Sequence, residues 1–193
     1  MINKFLALII LLIMSPLFFL LSILLLIVQG RPIFYSQIRI GKNYNLFSLL
    51  KFRSMIINKE GPQITEEKDK RITFFGKILR RSKIDELPQL INIIKGDLNF
   101  IGPRPLLPEY DKLYTKEQKK RLSIKPGITG WAQVNGDNNI SWKKKFQLDL
   151  WYVKNRTILL DLKIIFLTFL FFVKIGLKKN NNKLITKKFN GKN

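Results

Sequence analysis

The chain has 193 residues, enough for one domain of ordinary size plus a membrane segment, and two independent soluble domains are not expected. Its 35 Lys and Arg against 13 Asp and Glu give a formal charge of +22, which implies a polyanion nearby: an anionic lipid surface, a phosphorylated substrate or a nucleic acid. Cysteine and histidine are both absent, which excludes disulfides, thiolate nucleophiles, His-based zinc sites and imidazole bases. Any chemistry falls to carboxylates, hydroxyls, amines or a hard metal ion.

From Phe5 to Val28 every residue is apolar except Ser15, Pro16 and Ser22. At about 1.5 Å of rise per residue such a run can cross a bilayer core. No small-residue cleavage signature follows it before Gln29, Gly30 and Arg31, so an uncleaved anchor is expected. The basic excess lies after this segment, which by the positive-inside tendency keeps the main domain in the cytoplasm. Pro16 removes one backbone hydrogen bond in mid-run, and Ser15 can satisfy the carbonyl so freed. The residues leave two readings open: a kinked transmembrane helix, or a re-entrant hairpin that enters and leaves by one face.

Between Ile33 and Met55 a short β pattern, with Ile33, Tyr35, Phe47 and Leu49 around the turn-prone Gly41-Lys42-Asn43, predicts a hairpin. Glu60 to Lys70, with Gly61-Pro62, reads as a surface loop with a helix starting near Glu66. Thr73 to Arg81 reads as an amphipathic basic helix. Ser82 is expected to cap the helix after it, with Asp85 in the capping-box position and Leu87, Leu90, Ile91 and Ile94 on one face, until Gly96 ends it. Gly102-Pro103-Arg104-Pro105 is a stiff turn, and Lys125-Pro126-Gly127 opens a turn-rich stretch running to Asn139. The apolar run Ile164 to Val173 holds only ten residues between lysines, too short to span, and suits a helix at the lipid interface or in the core. The Lys- and Asn-rich tail beyond Lys178 reads as mobile.

An adjacent acidic pair, Asp85-Glu86, can be a simple helix cap. Its company favours chemistry: Lys51, Arg53, Arg80, Arg81 and Arg104 stand in short, constrained, partly apolar segments. Such cations can clamp a diphosphate and neutralise charge on a leaving phosphate, with a hard metal such as Mg²⁺ held by a carboxylate and the phosphates. Composition alone does not name the reaction.

Lys51-Phe52-Arg53-Ser54-Met55, Asp85-Glu86-Leu87-Pro88-Gln89-Leu90 through Gly96-Asp97, Gly102-Pro103-Arg104-Pro105 and Lys125-Pro126-Gly127-Ile128-Thr129-Gly130-Trp131 resemble, in order and spacing, the bacterial sugar transferases, the monotopic phosphoglycosyl transferases. The resemblance implies a mostly α fold with a small β-hairpin element, amphipathic interfacial helices and a re-entrant helix-break-helix at Ser15-Pro16. It divides the chain into a membrane hairpin (1–30), a cytoplasmic catalytic domain (31–178) and a basic tail (179–193). It implies Asp85 as nucleophile on the sugar-bearing phosphate of a UDP-sugar and Glu86 as the principal Mg²⁺ ligand; among the cations named above, Lys51, Arg53, Arg80 and Arg104 are expected to bind the substrate phosphates. The acceptor it implies is undecaprenyl phosphate, the expected product besides UMP is the sugar linked to the lipid by a diphosphate, and the expected location is the cytoplasmic face of the bacterial inner membrane.

Within the family, Ile140-Ser141-Trp142 with Lys143 to Phe146, the ending Phe189-Asn190-Gly191-Lys192-Asn193 and the short single-domain form resemble members that place N,N'-diacetylbacillosamine phosphate at the start of protein N-glycosylation. Two positions depart from that pattern. Before the membrane helix only Lys4 remains of the basic residues, with Asn3 where an Asp is expected; and Asp137 stands where those members have Arg, which bears on sugar choice. UDP-galactose and UDP-N-acetylgalactosamine are the alternative donors. A membrane-tethered polyanion binder without catalysis would share the charge but has no need of Asp85, Glu86, Gly102 or Pro103 in these arrangements. The aromatics form no stacking series for nucleic acid, which is not expected as a partner.

Overall fold

In the computed structural model, the structure describes residues 1–56, 69, 71–136, 139–177 and 189–191. The chain divides into two compact units, residues 1–37 with 48–96, and residues 38–47 with 97–193. The fold is mostly helical, with two small two-stranded sheets.

The first unit begins with α1 (Ile2–Gln29), the one helix among the described residues long and apolar enough to cross a membrane. Helix runs through Pro16 without interruption. Proline has no N–H to offer the carbonyl four residues back, and Ser15 Oγ donates to that carbonyl, Leu12 O, at 2.7 Å. Most of α1 is exposed and apolar, but one face is buried: Leu21 and Leu25 meet Phe52 and Leu79, with Phe18, Ile33, Phe75, Ile84 and Leu87 around them. The rings of Phe18, Phe34 and Phe52 lie 4.8–5.8 Å apart.

The predicted hairpin is present as β1 (Phe34–Ile40) and β2 (Leu46–Phe52) around residues 41–45. After it comes α2 (Phe74–Arg81), capped by Thr73, whose Oγ1 accepts from the Gly76 N–H at 2.9 Å. The loop and the helix start expected at 60–70 lie almost wholly outside the described residues. Ser82 does not cap the following helix: its Oγ donates backwards to Ile78 O and Leu79 O, closing α2. A left-handed residue, Lys83, and a single 3-10 turn, Ile84–Glu86, separate α2 from α3 (Gln89–Lys95), so the capping box has no helix to cap. Gly96, at φ 96°, ends α3 as expected. The buried face of α3 is Leu90 and Ile93 with the polar Gln89 and Asn92, while Ile91 and Ile94 are only half-buried.

The second unit holds β3 (Asn99–Ile101), α4 (Lys116–Lys119), β4 (Gly127–Thr129), α5 (Trp131–Val134), α6 (Trp142–Asn155) and α7 (Ile158–Leu177). Strands β3 and β4 pair in parallel, a sheet the turn-rich sequence did not predict. A Cβ on Gly127 would stand 2.1 Å from Gly102 N, and one on Gly130 2.2 Å from Gly102 O, so these glycines serve close backbone approach as well as turns. Ile101, Tyr152, Leu160 and Ile164 form the core here. Helix α7 extends beyond the ten-residue run at both ends; Ile164 is fully buried, as the core reading expects, while Ile165, Phe166 and Phe169 are exposed. Near the end of the chain Phe189 is buried among Tyr110, Tyr114, Trp142 and Phe146, with ring centroids 5.1–6.2 Å away, so this part of the tail is packed rather than loose.

Candidate active site

Two short devices bring the acidic pair inward. Lys83 adopts φ 58°, ψ 12°, which turns the chain sharply after α2, and the 3-10 turn then carries Asp85 and Glu86 into the first unit, where they are 6% and 8% exposed. A non-glycine residue in this conformation is uncommon and costs about 1–2 kcal/mol, and such strain concentrates at functional sites. Lys51, near the end of β2, reaches Glu86 with Nζ 2.7 Å from Oε1. Asp85 Oδ1 is buried and has no hydrogen-bond partner among the described residues. Burial pushes the Asp85 carboxyl above its ordinary range; Lys51 pulls it back, Glu86 beside it adds to the rise, and Lys83 and Arg80 lower it again.

The predicted cations are used in different ways. Lys51 and Arg80 belong to the surroundings of Asp85, and Arg80 Nη1 also lies 3.2 Å from the Met55 sulfur. Arg53 is 7% exposed and turned to the end of α1: Nη1 donates to Arg31 O at 3.0 Å, and Nη2 to Gly30 O at 2.8 Å and to Gln29 O. Arg81 is exposed. Arg104 belongs to the second unit, where its backbone is fixed: Arg121 Nη2 donates to Arg104 O at 2.7 Å, Arg39 Nη1 to Pro105 O at 3.2 Å and Ile40 N to Leu106 O at 3.0 Å. Arg121 is buried and ion-paired with Asp149, Nη2 to Oδ2 2.7 Å. Asp137 lies outside the described residues.

Sequence reasoning missed four residues, Lys83 and Asn92 in the first unit and Arg121 and Asp149 in the second. Lys83 gave no signal beyond being a cation next to the pair. Asn92, in the middle of α3, is 1% exposed; it ties α3 to β2, accepting from Leu50 N at 3.0 Å and donating to Ser48 O at 2.8 Å. Arg121 and Asp149 are separated by 28 positions, and nothing local links them.

No group of three or more Asp or Glu side chains gathers as a metal site among the described residues. Two adjacent carboxylates, one with an unpartnered oxygen, nevertheless fit a Mg²⁺ ion that takes most of its ligands from phosphates and water, as this ion does when bound with phosphorylated substrates. The geometry supplies one buried carboxylate without a partner, a second held by a lysine, and cations around both. That set suits nucleophilic attack on phosphorus with charge compensation.

Comparison with known proteins points the same way. A profile described as bacterial sugar transferase matches residues 1–175. The chain is 51% identical over 139 residues to a protein named uncharacterized sugar transferase EpsL of Bacillus subtilis, covering 72% of this chain and 69% of that one. It is 35% identical to the undecaprenyl-phosphate galactose phosphotransferase of Salmonella typhimurium and 37% identical to the UDP-N-acetylgalactosamine-undecaprenyl-phosphate N-acetylgalactosaminephosphotransferase of Aeromonas hydrophila. Those matches cover 72% and 80% of this chain but only 33% and 38% of the longer relatives. With nearly the whole chain matched, and with the acidic pair and Lys51 of its motifs meeting in one buried site, the protein belongs to the bacterial sugar transferase family.

Proposed function

We propose that this protein is a phosphoglycosyl transferase that moves a sugar 1-phosphate from a UDP-sugar to undecaprenyl phosphate and releases UMP. The observation that carries the reading is the buried Asp85 carboxyl, whose Oδ1 has no hydrogen-bond partner among the described residues, with the charges of Lys51, Lys83 and Arg80 acting on it. The names of the Salmonella and Aeromonas relatives support the donor and acceptor in kind.

In this mechanism an Asp85 oxygen attacks the sugar-bearing phosphorus. A carboxyl–phosphorus bond forms, and the bond from that phosphorus to the bridging oxygen breaks, leaving with UMP. An oxygen of undecaprenyl phosphate then attacks the same phosphorus, the acyl phosphate bond breaks, and Asp85 returns as a carboxylate. Glu86, oriented by Lys51, is the residue to hold Mg²⁺ with Asp85 beside it; when bound, the ion neutralises diphosphate charge. Lys51 and Arg80 contribute positive charge close to Asp85, and Arg104 takes its phosphate-binding role from the family motif.

The membrane reading goes with this. Lys4 Nζ, at one end of α1, donates to Lys95 O at 3.3 Å, while Leu21 and Leu25 toward the other end pack on Phe52 and Leu79. A helix that crossed the bilayer would carry one end away from the domain. Contact at both ends supports a re-entrant segment on the cytoplasmic face of the inner membrane. For the sugar, N,N'-diacetylbacillosamine is the proposed donor group. In support, the two stretches that carry that resemblance come together where Phe189 packs on Trp142, 5.4 Å between centroids. Galactose and N-acetylgalactosamine, the sugars named for the relatives, are the second reading.

One experiment tests both levels. Purified protein is given a panel of UDP-sugars with Mg²⁺ and undecaprenyl phosphate, and UMP is measured; the fastest donor names the sugar. Asp85→Asn is expected to lose at least about 10³-fold in UMP release, since removal of a covalent nucleophile in other enzymes has effects of that order or larger. Release at an unchanged rate would refute the nucleophile.

A further inference from the structure

We infer that Arg53 is a positioning residue that locks the height of the active site to the membrane helix and so governs the lipid half of the reaction; this rests on the function proposed above. The charge and constrained setting of this residue suggest a phosphate ligand, but both terminal guanidinium nitrogens already donate to backbone carbonyls, and only the buried Nε has no hydrogen-bond partner among the described residues. The last carbonyls of a helix have no partner within it and carry the negative end of the helix dipole, which a cation caps well. Arg53 meets that need at α1, donating to the carbonyls of Gln29, Gly30 and Arg31 in a turn where Gly30 takes φ 68°. The side chain is 7% exposed, so a diphosphate could reach it only by displacing the cap.

The cap has a direct line to the chemistry. Two residues before Arg53, Lys51 holds Glu86; between them Phe52, fully buried, packs on Leu21 and Leu25 of α1. The backbone N–H of Arg53 donates to Ile33 O at 2.8 Å, fixing the strand end as well. Helix end, strand and acidic pair therefore move together. The depth of α1 is set by the bilayer, because its outward face is apolar. A water-soluble donor reaches the pair whatever that depth, whereas the phosphate of a bilayer-embedded acceptor lies at one level. Releasing the clamp should misplace Asp85 against the lipid phosphate and leave its alignment with the UDP-sugar nearly intact.

The test separates the two half-reactions in nanodiscs. Single-turnover UMP release from the best UDP-sugar of the panel is measured without undecaprenyl phosphate, and multiple turnover is measured against undecaprenyl phosphate concentration. For Arg53→Ala, UMP release without lipid is expected within about threefold of wild type while kcat/KM for undecaprenyl phosphate falls about tenfold or more, in keeping with what small misplacements cost. Arg53→Lys, which keeps the charge and loses the fork, is expected between the two. If Arg53→Ala does not purify folded, Arg53→Lys alone decides by the same ratio. Equal loss in both half-reactions, a loss confined to UMP release, or no loss in either overturns the inference. Failure of wild-type protein to release UMP from any UDP-sugar would instead overturn the proposed function.

Discussion

At Asp85 burial and the proposed attack on phosphorus make opposite demands on one carboxyl. Attack on phosphorus needs the ionised form, and burial favours the neutral one, holding the carboxyl above its ordinary value of 3.8. Because the folded protein binds this proton more tightly than the unfolded chain, the group favours folding fully below the unfolded value. That advantage is lost as pH rises through the raised folded value. Asp85→Asn keeps the neutral shape at every pH, so it is expected to melt higher than wild type at neutral pH, with the gap closing as pH falls toward 4. Thermal unfolding in detergent across that range checks this, and a variant that melts lower at neutral pH would contradict it. The acidic pair itself was legible in the sequence. Its burial was not, because the device that produces it is the left-handed backbone of Lys83, a residue type that gives no sign of such a conformation.

Elements carry the site through a few polar ties. Strand β2 would leave Ser48 O and Leu50 N open on one edge, and the Asn92 amide from α3 closes both at once. Asn92→Ala would strand two backbone groups in a buried setting, at about 1–3 kcal/mol for each unsatisfied group. We expect a total loss of about 2–4 kcal/mol, read by denaturant unfolding. A loss below 0.5 kcal/mol, on the scale of ordinary surface substitutions, would show that water replaces the amide without penalty. The hairpin, α2 and the glycine stop of α3 follow from local patterns strong enough to read directly. The parallel pair β3–β4 does not, since each strand has three residues, too few for an alternating pattern, and its register depends on glycines 25 positions apart, Gly102 and Gly127. Ser82 shows the same limit: its hydroxyl had carbonyls behind it and amides ahead of it, and only the break at Lys83 decides between them.

Over the whole molecule, charge and apolar surface suit a protein that works on a membrane. A +22 excess is of the sign that attracts anionic headgroups and phosphorylated molecules, and α1 and α7 both expose apolar residues along their length. If α1 is re-entrant, a tag at Met1 in intact cells stays shielded from membrane-impermeant reagents and becomes labelled only when the inner membrane is opened. Labelling from the periplasm would refute that topology. The apolar run is unmistakable in the sequence, but its route is not, because hydropathy records how much a segment prefers lipid and nothing about where its ends lie; the contact of Lys4 with Lys95, 91 residues apart, has no local signal.

Phe189 closes the aromatic cluster of the second unit, and it is made long after Tyr110, Tyr114, Trp142 and Phe146. On the ribosome those four rings emerge with their partner still unsynthesised. Until then the aromatic cluster lacks one of its rings, so the second unit completes its core only after all of the first unit's residues, 1–37 and 48–96, have been made.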